Sequence, residues 1–341
     1  MGETPQRSEM NAFSELAPAG VAVSVSARLH LGFIDLNGGL DRRFGSVGLA
    51  ISGPRGHVTL RRATATRVEG VDSERAGHYL AAMQQRLGLS GDHHLSIVSA
   101  LPPHAGLGSG TQLALAVAAS LRSLYGLALD TAGDAVQLDR GARSGIGVGL
   151  FETGGLVVDA GRGSVTAAPP IISRMDFPPE WRIIIVLDPT HQGLFGESER
   201  AAFRALGPMA ASDAAHICRL LLMQALPALA ERDIVRFGAA IGLMQETLGD
   251  YFAPAQGGHR FTSVKVAAIL DLLASEGAHG VGQSSWGPTG FAFVEGGEQA
   301  ERLADLARRR PEASTLDIRV VSGLNRGAEV TTIAASRVQT I

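Results

Sequence analysis

Residues 95–125 run from a short apolar strand through a Pro/Gly-rich loop into a helix with hardly a charge. The loop reads Leu101-Pro102-Pro103-His104-Ala105-Gly106-Leu107-Gly108-Ser109-Gly110-Thr111. This order constrains the fold more than any other stretch. The chain must turn sharply off a sheet and lay a helix back against it. That helix carries Leu113, Val117, Leu121 and Leu124 at helical spacing, with mostly Ala on its other faces, so burial on several sides is expected. The glycines let backbone approach a ligand closely. The helix start offers unpaired N–H groups and the positive end of its dipole, and Ser109 and Thr111 add hydroxyls. The stretch predicts a phosphate or pyrophosphate site. The alternative is a glycine turn that only packs a helix on a sheet.

Charge usage limits how such a site is built. Lys265 is the only lysine, so a Walker-type lysine is excluded and charged anion contacts must come from Arg. A net charge of −3 gives no long-range attraction to nucleic acid or an anionic membrane. The single cysteine, Cys218, rules out a disulfide within a monomer and a cysteine zinc cluster; it reads as a small buried residue. His93 and His94 read as exposed residues, not metal ligands. No run approaches 18 uninterrupted apolar residues and the polar first 17 lack a signal pattern, so a cytoplasmic protein with a flexible N-terminal extension (1–20) is expected. A length of 341 predicts about two domains. Pro169-Pro170 and Pro178-Pro179 place the junction near 175, giving 21–175 and 176–341.

Along the chain, Val21, Val23 and Val25 alternate as in a half-buried strand. The strand runs into 27–39, where Arg28, His30 and Asp35 occupy near-alternate positions that could converge on one face. Strands are expected at 47–51 and 57–61, and helices at 73–87 and 131–139. A second glycine-dense loop, 140–149, carries Arg140, Arg143 and Ser144. Beyond the junction, a strand at 182–187 leads into a loop with Asp188, His191 and Glu197. Helices at 213–231, 234–248 and 262–276, a third glycine loop at 280–290, and a closing strand–helix–strand complete an α+β half.

The loops at 27–35, 103–111 and 282–290 resemble, in order and type, the three motifs of the GHMP small-molecule kinase superfamily. In the middle motif the second Ser is replaced by Gly110; in the third, Gln283-Ser284-Ser285-Trp286 interrupts the glycine run. The kinases' acid after Ser144-Gly145 is also missing, since Ile146, Gly147 and Val148 follow. Four blocks taken together resemble the β-ribofuranosylaminobenzene 5′-phosphate synthase family: 26–38, 106–112, 140–147 and 282–288. The resemblance runs from about residue 24 to 328. It implies an α+β, two-domain GHMP-kinase-like fold, with an N-terminal βαβ-containing domain and a C-terminal ferredoxin-like α+β domain. It also implies that phosphoribosyl pyrophosphate is joined to 4-aminobenzoate or 4-hydroxybenzoate, with loss of CO₂ and pyrophosphate, in tetrahydromethanopterin biosynthesis. Mg²⁺, no ATP and a homodimer follow from the same resemblance.

On that reading Gly106, Leu107, Gly108, Ser109, Gly110, Thr111 and Gln112 cradle phosphate. Arg28, Arg140 and Arg143, with Ser144 beside them, pair with phosphate or carboxylate, for which a guanidinium fork is suited. Asp35 and Glu197 are the candidates for holding Mg²⁺. His30 and His191 orient the benzoate or move a proton, which makes Arg28, His30, Asp35 and His191 the catalytic candidates. Ser284, Ser285 and Trp286 line the aromatic acceptor. An ATP-dependent kinase of a small alcohol and a non-catalytic ligand-binding or dimerisation module stay open as alternatives. A Rossmann dinucleotide site is disfavoured because its third glycine is absent at Thr111.

Overall fold

The computed structural model describes residues 18–164 and 168–334, so residues 1–17 of the expected extension lie outside the described residues. The first half contains β1 (Gly20–Asp35), β2 (Arg42–Ala63), β3 (Arg67–Gly70), α1 (Ser73–Leu87), β4 (Asp92–Ser99) and α2 (Ser109–Leu124). It continues through α3 (Thr131–Gln137), α4 (Ile146–Thr153), β5 (Leu156–Asp159), β6 (Arg162–Gly163) and β7 (Ile171–Met175). The second half begins with β8 (Trp181–Leu187), α5 (Gly196–Leu206), α6 (Ala211–Leu220), a π-helical turn (Leu221–Ala225), α7 (Leu226–Glu231) and α8 (Ile234–Phe252). It ends with α9 (Val264–Ser275), β9 (His279–Gln283), β10 (Gly290–Glu295), α10 (Gly297–Arg308), β11 (Asp317–Val321) and β12 (Glu329–Ile333).

The larger sheet runs β12-β1-β2-β4-β3, with β5 and β6 on β2 and β7 on β5. Within it β3, α1 and β4 form a βαβ unit, with Arg67 level with His94 in parallel register. The smaller sheet runs β11-β8-β10-β9. Counted within the second half, that is the fourth, first, third and second strand, the ferredoxin-like order. The two sheets divide where the prolines cluster. The last strand departs from the expected 176–341 unit: β12 crosses back and pairs β1, with Val21 level with Thr332.

Val21, Val23 and Val25 pack with Leu80, Met83, Val117 and Leu121 under α1 and α2. Farther along β1, Leu29, Leu31 and Phe33 join Leu107 and meet Ile183, Ile185, Phe237 and Phe293 of the second half in one shared core. The seam between the halves is therefore packed apolar surface, and the loop at 101–108 lies on it. Two local expectations are refined. The helix expected over 213–231 is continuous but widens into the π turn, where Pro227 in the first turn of α7 cannot donate an N–H and the ladder lengthens. In the loop expected at 140–149, residues from Ile146 on form α4. A Cβ at Gly147 would stand 2.8 Å from Thr111 Cγ2, so glycine serves close packing of α4 on α2. No helix among the described residues is long and apolar enough to cross a membrane.

Candidate active site

No side chain caps the start of α2, so its first N–H groups are left for a ligand. Gly106 (φ 76) and Gly108 (φ 82) supply the left-handed turns that bring the chain there. Residues 108–111 line a cavity of about 480 Å³, together with Arg28, Arg75, His104, Arg140 and residues 194–196 and 285–287. Arg28, on β1, donates from Nη1 to Gly106 O at 2.8 Å, while its Nε is buried without a partner. Burial draws its pKa down to about 10, against the pull of Glu199, so it remains charged at neutral pH. Gly110 opens the loop to two further guanidinium groups. A Cβ there would meet Arg140 Nη1 at 3.4 Å and Arg75 Nη1 at 3.5 Å. Arg140 donates to the Tyr79 hydroxyl at 2.5 Å and lies over that ring, and Arg75 pairs with Asp72. Arg75 belongs to no sequence block; nothing short of the placement of α1 against the loop announces it.

The third glycine loop closes the cavity from the other half. Ser284, fully buried, donates to Gly106 O at 2.7 Å and accepts from His30 N at 2.9 Å. Ser285 N donates to His30 O at 3.3 Å, and Thr289 donates to Ala105 O at 2.6 Å. Behind Ser285 and Trp286, which line both spaces, lies a second cavity walled by Phe33, Phe252, Phe261, His30 and three glutamines. At about 150 Å³ it is the size of a cavity that admits one benzene ring. The Trp286 ring packs 4.5 Å from Phe252 and 5.4 Å from Phe203. Its buried indole N–H lies toward the Glu199 carboxylate, short of a well-formed hydrogen bond; burial raises the pKa of Glu199, against the pull of Arg143 and of this N–H.

His30 is 3% exposed, and neither ring nitrogen has a partner. Burial first, then the charge on Arg28, lower its pKa from 6.5 to about 3. The unfolded chain therefore binds this proton first. His30's contribution is intact above about pH 6.5 and is lost as the pH falls toward 3. In that window the wild type is expected to lose up to about 1.4 kcal/mol per pH unit more than His30→Phe, read from urea titrations at a series of pH values.

Other expected residues do not converge here. The face expected to hold Arg28, His30 and Asp35 together is interrupted by a register shift between His30 and Gly32. Asp35 instead accepts from the N–H groups of Asn37 (2.7 Å) and Gly38 (3.0 Å) and lines a separate cavity beside the half-buried Cys218. Glu197 is exposed and paired with Arg200 and Arg204. His191 is half exposed, sits 3.1 Å from Asp188, and lines neither cavity. Leu107 is core, and Gln112 donates to Gly147 O at 2.9 Å, which ties α2 to α4. Arg143 pairs with Glu199 at 2.8 Å and reaches the site only through it. Glu199, not Glu197, is the acid turned inward by α5; the sequence offered both without distinguishing them. Among the described residues no three His, Cys, Asp or Glu side chains group as metal ligands, and the pair Asp35 and Glu197 does not fit a Mg²⁺ site. Asp72 is the carboxylate lining the cavity at the start of α2, and Arg75 pairs with it.

Ser144 turns away from the cavity, into a network around Asp159. That fully buried carboxylate accepts from Ser46 (2.8 Å), Gly145 N (2.9 Å) and Gly161 N (2.8 Å), while burial raises its pKa. Asp159→Ala would leave those donors without partners. It is expected to cost about 3 kcal/mol, measured as a fall in the urea midpoint.

Residues 75–155 match the family of GHMP kinases N terminal domains, and 225–312 the family of GHMP kinases C terminal domains. A beta-ribofuranosylphenol 5'-phosphate synthase of Archaeoglobus fulgidus is 34% identical over 321 residues, 89% of this chain and 97% of its own length. One from Methanothermobacter thermautotrophicus is 32% identical over 329 residues, 90% of this chain and 97% of its own. Among solved structures, a homoserine kinase from Cytophaga hutchinsonii superposes with a TM-score of 0.63 at 16% identity, covering 92% of this chain and 98% of that one. The L. major mevalonate kinase in complex with R-mevalonate gives 0.67 at 14% identity, over 88% and 95%. The likeness to the kinases is one of fold, whereas the synthases match along nearly their whole length. The chain thus belongs to the beta-ribofuranosylphenol 5'-phosphate synthase family, an enzyme family built on the GHMP kinase fold.

Proposed function

We propose that the chain transfers ribose 5-phosphate from phosphoribosyl pyrophosphate to the carboxylate-bearing ring carbon of 4-hydroxybenzoate, releasing pyrophosphate and CO₂. The observation that carries this reading is the junction of two unlike spaces. An anion cavity facing Arg28, Arg75 and Arg140 adjoins a ring-sized aromatic slot, the two sharing Ser285 and Trp286 in their walls. Departure of pyrophosphate leaves positive charge on the ribose. The guanidinium groups and the free N–H groups of α2 would stabilise the charge that builds on the leaving group. The 4-hydroxyl pushes electron density to the ring carbon that attacks, and loss of CO₂ restores aromaticity. No covalent enzyme intermediate is needed. A Mg²⁺ requirement would rest largely on the substrate's own phosphates, since magnesium commonly uses few protein carboxylates. The choice of the phenol over the 4-amino acid follows the names of the relatives.

A kinase reading is disfavoured because buried Ile146 stands where the acid after Ser144-Gly145 would be. The discriminating experiment offers the protein phosphoribosyl pyrophosphate with 4-hydroxybenzoate, with 4-aminobenzoate and with neither, and, separately, ATP with small alcohols. Pyrophosphate release that requires the aromatic acid is expected. Consumption of ATP with an alcohol, and none of the activated ribose, would restore the kinase reading. The homodimer implied by the resemblance belongs to the same proposal and is checked by light scattering.

A further inference from the structure

The acceptor slot and the phosphate cavity share only Ser285 and Trp286 among their lining residues. The reaction proposed above requires the ring carbon bearing the carboxylate to reach the ribose. That carbon must therefore sit at the shared end, with the hydroxyl pointing away. His30 is fixed at this same end, its backbone N and O held by Ser284 and Ser285.

The glutamines and the arginine of the slot are engaged. Gln245 bridges Gln283 N and Leu31 O, Gln283 accepts from Thr262, and Gln256 donates to the His259 and Arg260 carbonyls. Arg260 is bound at 2.5 and 2.9 Å by both oxygens of Asp250, in a half-exposed position. Glu246 and Asp271 also face the slot, from α8 and α9, and repel a carboxylate. Arg28, the neighbouring cation on β1, is turned onto the phosphate loop through Gly106 O. Besides the Trp286 indole N–H, which lies toward Glu199, what remains buried without a partner is an imidazole with two free nitrogens. A buried polar atom without a partner is costly, so the fitting ligand brings one.

Resting on that reaction, we propose that His30 meets the carboxylate of the aromatic acceptor as an uncharged hydrogen-bond donor, so that the group leaving as CO₂ is held without a cation. The chemistry favours such a partner. A guanidinium clamp would stabilise the carboxylate most in the ground state and lose that interaction as its charge disappears, which raises the barrier. As the ring π pair forms the bond to the ribose carbon, the bond to pyrophosphate breaks and pyrophosphate keeps its pair. The pair of the ring-to-carboxylate bond then returns to the ring, and neutral CO₂ departs. No proton moves at that carbon, and His30 keeps its own.

The test is equilibrium binding to wild type, His30→Phe and His30→Gln, followed by quenching of tryptophan fluorescence, to which the core residue Trp181 adds a common background. Three ligands separate the ends of the ring: 4-hydroxybenzoate, benzoate without the hydroxyl, and phenol without the carboxylate. His30→Phe is expected to weaken both acids about tenfold and phenol less than about twofold; His30→Gln, which keeps a neutral donor, is expected to stay within about threefold of wild type throughout. Equal losses for all three ligands, unchanged binding of all three, or a loss confined to the two hydroxyl-bearing ligands would each overturn the assignment. Wild-type CO₂ release from 4-hydroxybenzoate and phosphoribosyl pyrophosphate is measured alongside. If it is absent while the acid-selective pattern holds, the reaction falls and the carboxylate subsite stands. If it is present and the pattern fails, only His30's role falls.

Discussion

Arg28→Ala is expected to lower kcat/KM for phosphoribosyl pyrophosphate about 100-fold, a loss of about 2.7 kcal/mol in transition-state binding. Two effects add. The first is a charge-assisted contact to the leaving group in a partly buried cavity, where removal of a single stabilising donor commonly costs that much. The second is the bond from Nη1 to Gly106 O, which helps to fix the loop. Burial has already drawn the Arg28 pKa down to about 10, so this cation has been taken out of water before the substrate arrives. Arg28→Lys is expected to recover little, because one ammonium cannot serve both Gly106 O and a phosphate oxygen as a fork does. The check is steady-state kinetics with phosphoribosyl pyrophosphate varied, alongside thermal unfolding to show that the variant folds. Wild-type turnover in Arg28→Ala would remove it from the site.

Gly106→Ala is expected to do comparable damage by a purely steric route. A Cβ would stand 2.2 Å from Ser284 O and 3.1 Å from Gly287 O, and the position has a φ of 76. Both obstacles are backbone atoms, so no side chain can swing aside. The loop must move, and with it go the bonds from Arg28 and Ser284 to Gly106 O. A stability loss of about 2–3 kcal/mol and a fall in activity of about 100-fold are expected. Gly126→Ala is the control. Its φ is 67, but nothing lies within 4 Å of the added methyl, so it carries the conformational cost alone and should leave activity untouched. Equal behaviour of the two variants would show that the contact with the third loop does not matter.

The parts of the site that were legible in sequence are those written in contiguous residues. The turn at 106–110, the strand carrying Arg28 and His30, and the block at 283–286 each state their own local geometry, and the order of the three loops states the fold. What was not legible depends on chain geometry that periodicity does not encode. A register shift in β1 between His30 and Gly32 separates Asp35 from Arg28 and His30. The first turn of α5 decides that Glu199 faces Arg143 while Glu197 faces solvent, although the two differ by only two positions. Arg75 joins the cavity because α1 begins beside Gly110, a long-range contact with no local signal. Ser144 looked like a phosphate ligand from its glycine surroundings, but it belongs to the network around a carboxylate 15 residues away. β12 returns to β1 from the far end of the chain, so a boundary drawn from prolines could not contain it.

The central claim is that one site joins an activated ribose to an aromatic acid and expels its carboxylate. Incubation with phosphoribosyl pyrophosphate, Mg²⁺ and carboxyl-labelled 4-hydroxybenzoate, followed by parallel measurement of labelled CO₂ and pyrophosphate, tests it most directly. Equal molar amounts of the two are expected, both abolished when either substrate is left out. Pyrophosphate released without labelled CO₂, or neither product formed from this pair of substrates, would contradict it.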